Sequence, residues 1–120
     1  MTIIFLLSFI FSFNHPDLPV NCKKEFTKGE AHFRQRADGA RDWHANSYNI
    51  SQAIYHFEQS MECSDLEQKS AQMLLRAYHF KAMYCDISDD KRKFYHNKAK
   101  ILGDSMMNKY PEDLLIKMWY

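Results

Sequence analysis

Histidine and cysteine are the side chains through which a small protein most readily does metal or redox chemistry, and this chain has six His and three Cys. The histidines stand at 15, 32, 44, 56, 79 and 96, with no HExxH motif and no close pair, so the spacing offers no metal clamp. His56 and His79 can meet only if packed helices bring them together. Cys22, Cys63 and Cys85 lack the short spacing of a zinc or thioredoxin-like motif. Residues 65–84 read as one helix. Its length of about 30 Å, at roughly 1.5 Å per residue, far exceeds the ~7 Å Cα separation that a disulfide spans. Cys63 and Cys85 are therefore expected as small buried thiols. There is no GxSxG elbow or glycine-rich phosphate loop. Gly29, Gly39 and Gly103 are isolated and suit turns or close packing. Asp89-Asp90 before Lys91-Arg92-Lys93 reads as a solvated helix start, not a carboxylate dyad. No residue is assigned to catalysis, and neither a cofactor nor a metal is expected.

Binding is the better class of function. Trp43, Tyr48, Tyr55, Tyr78, Phe80, Tyr84 and Tyr95 could line a groove between helices, where rigid rings bury area and phenols keep polar contacts. The sequon Asn49-Ile50-Ser51 is weak, because Asn49 is expected to cap a helix.

Four helical segments would position these groups. Phe26, Glu30, Phe33 and Ala37 follow helical spacing over 24–38, and Asp38-Gly39 is a stop. Residues 40–47 are either a further turn of helix or a loop folded back on Trp43. Ile50, Ala53, Ile54, Phe57 and Met61 form one face of a second helix, with Asn49 and Gln52 as its capping box. Ser64 and Glu67 repeat that spacing before Ala71, Leu74, Leu75, Tyr78, Ala82 and Cys85. Apolar residues on two sides make this third helix central. A fourth, entered through Asp86–Asp90, carries Tyr95, Ala99, Leu102, Met106 and Tyr110 and stops at Pro111. Leu114, Leu115, Met118 and Trp119 then either fold back as a cap or offer a partner interface, including one with a second copy of the chain.

The 120 residues allow one domain, and a 46% hydrophobic, 26% charged composition excludes disorder. A formal net charge of +1 supplies no field for nucleic acid, so no nucleic-acid partner is expected. The charge is unevenly placed. Residues 1–13 carry none, and all Lys and Arg lie from Lys23 onward. That apolar run is shorter than the roughly 20 residues of a membrane-spanning helix but suits a secretory signal. Residues 1–22 are thus a signal peptide or lipoprotein signal-like segment, and 23–120 a helical domain, incomplete if its last helix begins a third pair. Cys22 is the candidate for acylation, although Asn21 stands where a lipobox has a small residue. Periplasmic export, with or without a lipid anchor, is the expected localisation.

Ala53, Ala77 and Ala99 mark close helix approaches. Ala53, Phe57, Ser60 and Asp65 follow the second helix of a tetratricopeptide repeat (TPR), against the alternative of a nonrepeat bundle. The expected fold is all-α, with TPR-like antiparallel helix pairs forming an alpha-alpha superhelix. The stretches Glu30–Gln35, Ala53–Glu58, Leu75–Phe80 and Lys93–His96, with Ala99 and Tyr110-Pro111, resemble the T-component proteins of tripartite ATP-independent periplasmic (TRAP) transporters. The resemblance spans roughly 24–111. It implies an exported, often lipid-anchored, non-enzymatic binding or adaptor protein working beside a periplasmic solute-binding protein, with a hydrophobic or organic-acid ligand. The alternative is a structural helical-repeat protein making homo-oligomeric or other protein contacts without a small molecule.

Overall fold

The computed structural model describes residues 20–120, so the signal-like expectations for residues 1–19 lie outside the described residues. Among the described residues the fold is all-α: α1 (Cys22–Arg34), α2 (Ser47–Ser60), α3 (Glu67–Tyr84), α4 (Asp89–Lys109) and α5 (Leu114–Trp119). Neighbours in sequence are neighbours in space. α1 packs on α2, α2 on α3 and α3 on α4, while α5 folds back against both α3 and α4. No helix among the described residues is long and apolar enough to cross a membrane.

The apolar stripes become the core as their spacing requires. Ile50, Ala53 and Phe57 of α2, Ala71, Leu74, Leu75, Ala77 and Tyr78 of α3, and Ala99 and Met106 of α4 are all buried. Gly29 lets α1 approach α2 closely. A Cβ there would stand 2.6 Å from Phe57 Cε1. Ser60 and Ser70, both fully buried, join α2 to α3 through a 2.5 Å bond between their hydroxyls, and Ser60 donates to the Phe57 carbonyl. No buried side-chain polar atom among the described residues lacks a partner.

Helix starts differ from the sequence reading in two places. Asn46, not Asn49, caps α2 by accepting from the Tyr48 N–H. Asn49 lies a turn inside, where its amide donates to the Gln35 carbonyl and its oxygen meets His32 Nδ1 at 3.0 Å. Ser64 does not cap α3. That helix starts after Leu66 with no side-chain cap, and Glu67 instead accepts from Lys109 and Tyr110 at the far end of α4. Ser88 caps α4 as the Asp86–Asp90 run suggests. Residues 35–46 form the connecting loop, and it is Ala45 that folds in; Trp43 points outward and is 88% exposed.

Cysteine pairing is the largest correction. Cys22 and Cys63 form a disulfide with Cα atoms 6.1 Å apart, and only Cys85 is a free, buried thiol. The bond joins the first residue of α1 to the turn after α2, opposite the loop that links them. Antiparallel packing of α1 on α2 creates this proximity, which spacing along the chain does not reveal. It also displaces the expectation of an acylated Cys22. One sulfur cannot carry both a thioether-linked lipid and a disulfide.

Candidate functional site

The C-terminal apolar load divides in two. Ile116 is fully buried, and Trp119 packs against His79, whose Nε2–H donates to the Trp119 carbonyl at 2.7 Å. Leu114, Leu115 and Met118 stay outside, 76%, 47% and 65% exposed. α5 is held by Asp113, which caps it through the Ile116 N–H and accepts from Gln68 and Gln72 of α3 at 2.6 and 2.7 Å. Burial works to raise the Asp113 pKa, but these hydrogen bonds outweigh it and hold the carboxyl below its usual range.

Docking of α5 completes a cleft of about 290 Å³. Phe33 at the end of α1 and Arg36 just beyond it form one wall; α3 supplies Arg76, His79, Phe80, Met83 and Tyr84; Trp119 closes the third side. The arginines lie over aromatic faces. Arg36 Cζ is 4.2 Å from the Phe33 centroid and Arg76 Cζ 4.9 Å from the same ring; Arg76 also lies 5.8 Å from the Trp119 ring. Burial, and then the charge of Arg76, lower the pKa of the Arg36 guanidinium, which stays protonated all the same. A second cleft of about 160 Å³ adjoins the first across Phe80 and Tyr84 and is rimmed by Trp43 and Ala45.

Of the aromatic groove candidates, Trp43, Phe80 and Tyr84 converge on these two clefts. The others lie elsewhere. Tyr48 is exposed, with its ring edge-on to His32, and Tyr55 is exposed beside His56. Tyr78 is buried, and its hydroxyl donates to Glu58 at 2.7 Å; burial first and this carboxylate second push its pKa up. Tyr95 accepts from Lys81, which also donates to Ser51. Glu58 takes Lys98 of α4 as well, so this polar layer ties α2, α3 and α4 together rather than lining a groove.

Sequence reasoning missed the two arginines, because Arg36 and Arg76 are 40 positions apart and unremarkable until α1 and α3 converge. It also missed the histidine pairing. His56 meets His32, not His79, with rings stacked at 5.7 Å, and His56 Nδ1 is bonded to Glu25 at 2.5 Å. His79 lies 6.2 Å from His96. No group of three or more metal-ligating side chains forms among the described residues. In comparisons with known proteins, no family model, no curated protein and no solved structure matches the chain.

Proposed function

We propose that this chain is a non-enzymatic, exported helical binding module that holds a small amphipathic molecule in the cleft between α1, α3 and α5. The observation that carries this reading is the cleft itself: four aromatic rings, from Phe33, Phe80, Tyr84 and Trp119, line a space of about 290 Å³, close to the lower end of the roughly 300–1,000 Å³ range of small-molecule sites. The Cys22–Cys63 disulfide supports export, since such bonds persist in oxidising compartments. Sequential packing of α1 through α4, with Ala53, Ala77 and Ala99 buried at helix approaches, supports a TPR-like arrangement of helix pairs. An adaptor of this design would work beside a periplasmic solute-binding protein of a TRAP-type transporter. Anchoring through Cys22 is not part of the proposal.

The test is an amide-resonance titration of the disulfide-bonded protein with a panel of small apolar and organic-acid fragments. Shifts confined to Phe33, Arg76, Phe80 and Trp119 are expected; a panel that leaves all of these unmoved removes the reading. A second reading, association between copies of the chain, is favoured by exposed Leu114, Leu115 and Met118 on one short helix. It requires concentration-dependent assembly in sedimentation that Leu115→Glu with Met118→Glu abolishes.

A further inference from the structure

We infer that Trp43 and the α1/α3/α5 cleft are the two halves of one contact between copies of the chain: the Asp42-Trp43 turn of each copy seats in the cleft of the other, closing a two-fold dimer. This goes beyond the ligand reading, since a small molecule and the second copy's turn would compete for one cleft. It also differs from association through α5, whose exposed Leu114, Leu115 and Met118 take no part.

Trp43 stands at the tip of a two-residue hairpin. Arg41 and His44 exchange both backbone hydrogen bonds, each 2.9 Å, and leave only Asp42 and Trp43 to turn the chain. Asp42 has a φ of 54°, in the left-handed region that glycine takes more readily, yet an aspartate stands there. Ala45, next along, is buried and donates its N–H to the Tyr84 carbonyl at 2.7 Å, which fastens the hairpin to the end of α3. The indole is therefore held on a hydrogen-bonded backbone while 88% exposed, so it fills neither cleft of its own copy. A single exposed apolar residue is ordinary. A preordered Trp is different, because it binds with little further loss of freedom and belongs to the residue types most enriched at the energetic centre of interfaces.

The receiving half lies beside it. The two clefts share Phe80 and Tyr84, and Trp43 rims the smaller one. The larger, at about 290 Å³, has room for one indole and offers it the rings of Phe33, Phe80, Tyr84 and Trp119. Charge is complementary as well. Arg36 and Arg76 line that cleft and no acid does, whereas Asp42 stands beside Trp43 at the hairpin tip; Arg41 belongs to the base, paired with His44. No ion pair among the described residues uses Asp42, Arg36 or Arg76. Either arginine can serve Asp42, and the pairing does not need both. A second copy is the occupant because it carries the ring and the acid that the cleft lacks, and presents the same cleft in return. With the two halves adjoining, a two-fold axis between them completes the exchange in a pair, whereas head-to-tail use of the same contact would propagate.

The experiment is sedimentation equilibrium of the full disulfide-bonded chain over a concentration series. A monomer–dimer equilibrium is expected. Trp43→Ser should weaken it at least about tenfold, as loss of a central Trp does, and Leu115→Glu with Met118→Glu should leave it unchanged. Asp42→Arg alone, and Arg36→Glu with Arg76→Glu alone, should each weaken pairing about tenfold or more, because like charges then meet at both contacts. Mixing these two variants gives every turn a cleft of opposite charge, so a heterodimer should form about as tightly as the wild-type pair. A mixture that fails to pair overturns the inference, as does a wild-type chain still monomeric at about 1 mM; the ligand reading then stands or falls by its own titration. Dimers that survive Trp43→Ser but not the α5 substitutions overturn it in favour of α5, and open-ended assembly overturns the two-fold exchange. Trp43→Ser removes a side chain that is almost wholly exposed, so this comparison decides the question even if the charge variants fail to fold.

Discussion

At Gly29 two opposing effects can be weighed directly. Replacing a helical glycine by alanine gains up to about 1 kcal/mol of helix propensity. Here, however, the new Cβ would fall 2.6 and 2.7 Å from Cε1 and Cδ1 of Phe57, a fully buried ring that also packs on Phe26. Overpacking of this kind costs about 1–3 kcal/mol, and Phe57, with no exposed surface, cannot swing out into solvent to relieve it. Gly29→Ala should therefore lower stability by roughly 1 kcal/mol or more in urea denaturation; an unchanged or raised midpoint would show that α1 shifts freely on α2. Of the alternatives left open by its isolation in sequence, Gly29 is a close-packing glycine, whereas Gly39, at φ 75°, serves a turn. Nothing local to Gly29 distinguishes the two roles. The partner that decides, Phe57, is 28 positions away and is brought there only by the antiparallel turn.

At the scale of elements, the helices with continuous apolar stripes were legible because a 3.6-residue period survives any tertiary context. Their caps were less so, because several oxygen-bearing side chains compete near each start. Asn46 and Asn49 both suit a cap, and the one left over was recruited by His32 and Gln35. α5 was half legible: its apolar content demanded a partner, and the direction in which it folds depends on Asp113 meeting Gln68 and Gln72. Asp113→Ala should cost about 1–2 kcal/mol, since it removes a helix cap and leaves two amide donors without their acceptor. The same contact has a pH signature. Because the Asp113 carboxyl is held below its unfolded value, its contribution is fully present above about pH 4 and is lost as pH falls through the depressed folded value. Glu67, lowered by its hydrogen bonds from Lys109 and Tyr110, acts in the same direction on the α3–α4 pair. In a Trp43→Phe background, the fluorescence of Trp119 should report α5 loosening on acidification, with Asp113→Asn already loosened at neutral pH and less responsive to acid. Identical acid titrations of the two proteins would place the titrating group elsewhere.

At the scale of the molecule, the cleft exists only where three separately positioned pieces converge. Its aromatic wall was partly legible, since Phe80 and Tyr84 share a helix. Its arginines were not, because Arg36 follows α1, Arg76 lies mid-α3 and their meeting is a property of the assembly. The disulfide bears on how well that assembly persists. It fastens the start of α1 to the turn after α2 across a sequence separation of 41, so the α1–α2 pair is tied at both ends. A loop of this size stabilises by about 2–4 kcal/mol, chiefly by restricting the unfolded chain. Reduction should lower Tm by roughly 10–30 °C for a domain of this length, and Cys63→Ser should reproduce the loss. The third cysteine is the internal control. Cys85 is buried, and burial raises its thiol pKa despite nearby Lys81 and Arg92, so it should resist alkylation in the native protein and react once the chain is unfolded. Thiol counting before and after reduction thus reads the fold and the bond together. One slow thiol in the oxidised native protein is expected; fast reaction at Cys85 before reduction would mean that the packing of α3 against the loop at Ala45 is open, and with it the neighbouring wall of the cleft.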